Sequence, residues 1–92
     1  MNFEEAVLKS KTLSQRPSNE DLLLLYSLYK QATDGEAPEK GDYNMFDFVA
    51  KAKHDAWLKL KGKSSENAKE EYIQLVASLF LKEKNNSLTD GV

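Results

Sequence analysis

Cysteine is absent from this chain. That excludes disulfides, thiolate nucleophiles and cysteine zinc sites, and it is consistent with a reducing compartment. A single histidine, His54, leaves no histidine pair and no HExxH zinc helix. The glycines at 35, 41, 62 and 91 are too scattered to form a phosphate-cradling loop. Long apolar runs are missing too: the longest is Leu22 to Tyr26, far short of a membrane span, so no stable membrane insertion is expected. The start, Met1-Asn2-Phe3-Glu4-Glu5, is acidic and carries no hydrophobic signal core, which makes a cytoplasmic location the expectation. Basic charge is not in excess. A formal net charge of −2 argues against a nucleic-acid binder, and no nucleic-acid partner is expected.

What is present suits one small domain. The chain has 92 residues, and about 40% of them are apolar, enough for a single modest core. A core of that size leaves little room for a deep catalytic cavity, so a surface groove is the expected kind of site. Charge is uneven. Asp34, Glu36, Glu39, Asp42 and Asp47 face one base, Lys40, in the stretch 34–47, and Lys51, Lys53, Lys59, Lys61 and Lys63 face one acid, Asp55, in the stretch 51–63. The ordinary reading of such runs is solvated helix and loop surface.

The apolar spacing is helical throughout. Phe3, Ala6, Val7 and Ser10 fall at three- and four-residue steps and predict a helix over 2–14. Pro17 stops it. Ser18 then caps a second helix, with Glu20 and Asp21 in its first turn, running to Thr33 before Gly35. That helix is apolar nearly all round, with Leu22, Leu25, Tyr26 and Tyr29 on one side and Leu24 and Leu28 on another, which predicts a central position. Residues 34–46 form a long connection. A third helix is predicted over 47–61, ending at Gly62. A fourth is capped by Ser64, carries the stripe Ala68, Tyr72, Leu75, Val76 and Leu79, and runs to Lys84. The expected domain is therefore 1–84, with a flexible polar tail over 85–92. With no strand pattern and no internal repeat, the fold class is an all-α four-helix bundle.

Catalytic constellations are missing, and no enzyme, cofactor or metal site is expected. His54 reads as an ordinary polar residue near a helix surface. The informative feature is the placement of three lysines. At about 100° per residue, Lys30 falls between Tyr26 and Leu23, Lys53 falls in the sector of Val49, Ala56, Trp57 and Leu60, and Lys11 falls between Val7 and Leu8. Each sits at the margin of an apolar face. One reading is snorkelling, with packed stems and wet ammoniums, and Tyr26, Tyr29 and Tyr72 have a matching reading as core residues. The other is a mixed site: ammoniums for phosphate, aromatic rings for a base, apolar surface for a lipid. Two other functions compete with it: a helical module whose groove takes a partner helix, and a nucleic-acid surface on Lys51 to Lys63.

Three segments carry a resemblance. Tyr26-Ser27-Leu28-Tyr29-Lys30-Gln31-Ala32-Thr33 resembles the signature of the acyl-CoA-binding protein family. Lys51-Ala52-Lys53-His54-Asp55-Ala56-Trp57, followed by Leu60-Lys61-Gly62, resembles its second motif, and Ser64 to Ile73 resembles the start of its last helix. The likeness spans residues 3 to 84. It implies an antiparallel four-helix bundle of the acyl-CoA-binding type. It also implies a monomer that carries medium- to long-chain fatty acyl-CoA and pools it without catalysis. Carried over residue by residue, Tyr26, Lys30 and Lys53 resemble the holders of the adenosine 3′-phosphate. Tyr29 and Tyr72 resemble the lining of the adenine site, and Lys11 resembles a headgroup contact. Phe3, Ala6, Val7, Leu22 and Leu23 fall where the family lays the acyl chain. The chain departs from the pattern in three places. Val49 follows Phe48 where a lysine is usual, which implies one phosphate contact fewer. His54 replaces a tryptophan. The loop ending Asp42-Tyr43-Asn44-Met45 lacks the usual Pro-Gly and is one residue longer.

Overall fold

The computed structural model describes the backbone of residues 1–90 and the side chains of residues 1–84. It contains four helices, α1 (Phe3–Ser10), α2 (Asn19–Thr33), α3 (Phe48–Leu58) and α4 (Ser65–Asp90), with no strand among the described residues. The expected all-α four-helix bundle is therefore what the chain builds.

Each helix start follows its capping chemistry. The Asn2 side chain accepts from the Glu5 amide at 2.8 Å while Glu5 Oε1 accepts from the Asn2 amide at 3.3 Å, a reciprocal capping box. Ser18 Oγ accepts from the Asp21 amide at 3.1 Å, and Asp47 Oδ1 accepts from the Ala50 amide at 3.0 Å. The ends differ from expectation. α1 stops at Ser10 instead of residue 14, because the hydroxyls of Ser10 and Thr12 donate to the carbonyls of Val7 and Lys9 at 2.7 and 2.8 Å and favour a turn. α3 stops at Leu58, and the chain unwinds through turns to Gly62 at φ +90°. α4 passes Lys84 and stays helical to Asp90. Of the tail expected over 85–92, Gly91 and Val92 lie outside the described residues.

α2 is central as its all-round apolarity predicts, packing against both α4 and α3, while α1 packs against α4. The pair α2 and α4 is antiparallel: Ser65 Oγ donates to the Ala32 carbonyl at 2.6 Å at one end, and Lys82 lies 4.0 Å from Asp21 at the other. The remaining packed pairs run parallel, so the antiparallel arrangement that the resemblance implied holds for α2 and α4 alone among the described residues. In α1 and α4, Phe3 meets Tyr72 at 5.2 Å between ring centroids and Lys9 meets Phe80 at 5.8 Å. In α2 and α3, Leu22 and Leu23 share a groove with Phe48 and Val49, and Gln31 meets Trp57. A parallel pair requires a return path at least as long as the helix, about 16 Å for the 11 residues of α3. The connection from Asp34 to Asp47 reaches roughly three times that length, which explains why it is so long.

The core is Phe3, Ala6, Leu28, Ala32, Ala68, Tyr72 and Val76, with Val7, Leu25 and Leu75 packed against it. Ala6, Ala68 and Val76 are completely buried. α1 and α2 both lie on α4 with their backbones held apart among the described residues, meeting through the Phe3 and Tyr29 rings. That leaves a trough between them, floored by α4.

Candidate functional site

The trough is a cavity of about 430 Å³ lined by Val7, Ser10 and Lys11 from the α1 end, Leu22, Leu25, Tyr26 and Tyr29 from α2, and Tyr72 from α4. A second groove of about 420 Å³ lies between α2 and α3, lined by Leu22, Leu23, Phe48, Val49 and Ala52, with Arg16, Asn19 and Lys53 at its rim. A third, of about 250 Å³, sits under the 38–43 loop and is bounded by Tyr26, Tyr43, Lys53, His54 and Trp57. The three adjoin: Leu22 borders the first and second, Tyr26 the first and third, and Lys53 the second and third.

Tyr26 and Lys53 meet on the α2–α3 ridge, and Lys30 lies beside them over Trp57 without lining any of the three cavities. Lys53 Nζ lies 5.2 Å from the Tyr26 ring centroid, and Lys30 Nζ lies 5.1 Å from that of Trp57, both cation–π contacts. Tyr26 and Lys30 are one turn apart and project from one face of α2. Lys30 also pairs with Asp34 at 2.5 Å. The hydrogen bond to Asp34 holds the Lys30 ammonium above its ordinary pKa, against a smaller opposing effect of desolvation. Asp34 is held below the usual carboxylate range by Lys30 and then by the Thr33 hydroxyl. Both are charged at neutral pH. Among the described residues, Lys11 and Lys53 have no carboxylate within ion-pair distance.

Tyr29 and Tyr72 meet on the trough side. Tyr72 is buried and its hydroxyl donates to Ser10 Oγ at 3.2 Å; Tyr29 is 40% exposed and faces the opening. Phe3 supports both rings, stacked on Tyr29 at 6.0 Å and edge-on to Tyr72 at 5.2 Å. Of the five residues expected along an acyl chain, Val7, Leu22 and Leu23 line the grooves. Phe3 and Ala6 are buried in the core behind them and back the wall.

Other participants were not foreseen from the sequence. Ser10, Leu25, Arg16, Asn19, Phe48 and Ala52 line the grooves; Arg16, a cation beside the helix-stopping Pro17, is the one with a readable signal. His54 is buried, not a surface residue. Its Nε2 lies 2.6 Å from the Pro38 carbonyl, which can only accept, so Nε2 carries the proton. Nδ1 is buried beneath Gly41 with no hydrogen-bond partner among the described residues. A Cβ on Gly41 would collide with the Tyr43 ring and His54 Nδ1. Gly41→Ala is accordingly expected to destabilise the fold by about 1–3 kcal/mol, read by urea unfolding. A loss under about 0.5 kcal/mol would show that the loop yields freely.

A polar knot centred on buried Gln31 and Trp57 fixes the ridge. Gln31 is 1% exposed; its Nε2 donates to Glu36 Oε1 at 2.7 Å and to the Lys63 carbonyl at 2.8 Å, and its Oε1 accepts from Trp57 Nε1 at 3.1 Å. Trp57 Nε1 also donates to the carbonyl of Gly35, a residue whose φ of +86° suits glycine alone. Glu36 accepts in turn from the Gly62 amide at 3.0 Å. The knot ties the end of α2 to the end of α3, so Lys30 and the ring it covers are held in one place. Among the described residues, no group of three or more His, Asp or Glu side chains is placed to hold a metal ion, and no helix is long and apolar enough to cross a membrane.

Cations on one ridge, aromatic rings beside them and apolar grooves running between define a small helical bundle built to hold an amphiphilic anion. A family model described as Acyl CoA binding protein matches residues 1–76. The chain is similar to an acyl-CoA-binding protein of Dictyostelium discoideum, at 46% identity over 80 residues, covering 87% of this chain and 94% of that one. It is also similar to acyl-CoA-binding domain-containing protein 6 of Arabidopsis thaliana, at 49% identity over 78 residues, covering 85% and 84%. Among solved structures, Oryza sativa acyl-CoA-binding protein 2 superposes with a TM-score of 0.81 at 44% identity, covering 90% of this chain and 91% of that one. The chain belongs to the acyl-CoA-binding protein family.

Proposed function

We propose that this protein binds medium- to long-chain fatty acyl-CoA non-covalently, one to one and as a monomer, and serves as a cytoplasmic carrier and pool former with no catalytic step. The observation that carries the reading is Lys53 against the Tyr26 ring where the cavities adjoin, with Lys30 one turn along α2 over the ring of Trp57, which lines the third cavity. In this reading Lys30 and Lys53 hold the 3′-phosphate with the Tyr26 hydroxyl as a further donor. Tyr29 and Tyr72 flank the adenine, Lys11 reaches the headgroup, and Val7, Leu22 and Leu23, backed by Phe3 and Ala6, receive the acyl chain. An apolar partner helix in the same grooves would leave Lys11 and Lys53 without a counter-charge, which favours the anionic ligand.

Trp57 is a built-in reporter, since its ring carries the Lys30 ammonium. Hexadecanoyl-CoA is expected to change Trp57 fluorescence and to raise Tm, because a ligand that binds only the folded state stabilises by mass action; about a hundredfold excess over Kd adds ~2.7 kcal/mol. The thioester stays intact throughout. Free fatty acid giving the same shift, or CoA released in proportion to protein, would overturn the reading.

Asp34 competes for the same ammonium. Asp34→Asn is expected to tighten acyl-CoA binding by up to about fivefold at low salt, the scale of an exposed ion pair. The gain should shrink at high ionic strength, where such pairs are screened. Unchanged or weaker affinity at low salt would mean that Asp34 positions Lys30 instead of competing for it.

A further inference from the structure

We propose that Met45, Phe46, Phe48 and Val49 form a peripheral docking surface for a lipid bilayer, at the mouth of the α2–α3 groove. These four side chains lie within five residues and are 73%, 75%, 71% and 65% exposed. Leu8 and Leu81, also exposed, stand apart from them in the sequence and need no explanation. A contiguous strip does, because a small protein that leaves one in water marks an interaction surface with it.

Three observations select a bilayer as the occupant. First, the strip runs into the groove: Phe48 and Val49 are exposed and also line the cavity with Leu22, Leu23 and Ala52. On the ligand reading above, which this choice of occupant rests on, the molecule entering that groove carries an acyl chain that partitions into membranes. A surface that meets the bilayer beside the groove shortens the ligand's path through water. Second, the backbone at the tip is internally satisfied. Asn44 Oδ1 accepts from the Phe46 amide at 2.9 Å, the Asn44 carbonyl accepts from the Asp47 amide at 2.9 Å, and Asp47 caps Ala50. A tip of this kind can enter the headgroup boundary without bare amides at those positions. Third, Arg16 and Lys53 rim the groove and Lys51 follows the strip, against Asp42 and Asp47. One carboxylate oxygen of Asp47 is engaged in the helix cap. Each cation near an anionic leaflet adds about fivefold to binding. No described helix is long and apolar enough to cross a membrane, so the contact is interfacial.

The test uses the full chain without ligand and vesicles of phosphatidylcholine with about one-fifth phosphatidylserine. Co-sedimentation is compared for wild type and a Met45→Asp/Phe46→Asp variant, with Met45→Ser/Phe46→Ser as a milder pair and circular dichroism to confirm the helices. Neither side chain lines any of the three cavities described above, so acyl-CoA affinity in vesicle-free solution should stay within about twofold of wild type. Wild type should partition onto the vesicles, and the Asp pair should lose at least about tenfold. Equal partitioning of wild type and variants, or none by wild type, would overturn the proposal. So would a concentration-dependent dimer without vesicles that the substitutions abolish, since the strip would then belong to a second copy. Vesicle binding by a chain that binds no acyl-CoA would remove the ligand reading and leave the docking surface standing.

Discussion

Lys30→Ala is expected to weaken hexadecanoyl-CoA binding by roughly ten- to a hundredfold. A hydrogen bond to a charged group contributes about 1.5–3 kcal/mol, and every 1.4 kcal/mol is tenfold in affinity. The geometry supports a specific loss. Lys30 sits on the face of α2 that carries Tyr26, its ammonium rests over Trp57, and the knot beneath fixes that ring. Because Lys30 exchanges Asp34 for the ligand, the measured loss will fall below that of an unpaired cation. The decisive form is a cycle of acyl-CoA and its 3′-dephospho analogue against wild type and Lys30→Ala. If Lys30 serves the phosphate, the substitution costs far less with the analogue. Equal losses with both ligands would assign Lys30 to packing or to another part of the headgroup.

Gln31→Leu carries the largest expected effect on stability, about 2–4 kcal/mol. Leucine fills similar volume, so the loss is polar. Glu36 and the Lys63 carbonyl lose their shared donor, and Trp57 keeps only its bond to the Gly35 carbonyl. A lost hydrogen bond is worth roughly 1 kcal/mol, and each buried group left without a partner about 1–3 kcal/mol. For a domain whose total stability is about 5–15 kcal/mol, such a loss would lower Tm by roughly 10–25 °C. Urea unfolding measures it directly. A loss below about 1 kcal/mol would show that the knot decorates the α2–α3 junction without holding it. Acyl-CoA affinity should fall as well, because Lys30 and Trp57 would no longer be held together.

The helices were legible in the sequence because their signals are local. Ser18 and Ser64 cap α2 and α4, and Ala68, Tyr72 and Val76 fall on one buried face of α4. The lysines at the apolar margins were legible for the same reason: helical angle alone places Tyr26 and Lys30 together. What spacing cannot supply is contact between distant segments. Nothing in the pattern around Gln31 announces that its amide bridges Glu36, Trp57 and Lys63, since those partners lie 5, 26 and 32 residues away. His54 was misread on the same account, because its burial comes from Pro38 and Tyr43 in the long loop and not from its own helix. The parallel pairing of α2 with α3 was latent in the length of the 34–47 connection, but length permits a crossover without dictating it. The ends of α1 and α3 were overestimated where side-chain hydroxyls or turn hydrogen bonds compete with the helix, a contest that hydrophobic spacing does not register.

Calorimetric titration with saturated acyl-CoA esters of increasing length tests the central claim most directly. One ligand should bind per chain. Each added methylene buried in the grooves contributes about 0.8 kcal/mol, or roughly fourfold in affinity, until the apolar surface of Val7, Leu22 and Leu23 is filled. Free CoA should bind more weakly than the long-chain esters, and free fatty acid should bind weakest. An affinity flat across chain length, two ligands per chain, or fatty acid binding as tightly as its CoA ester would contradict the account.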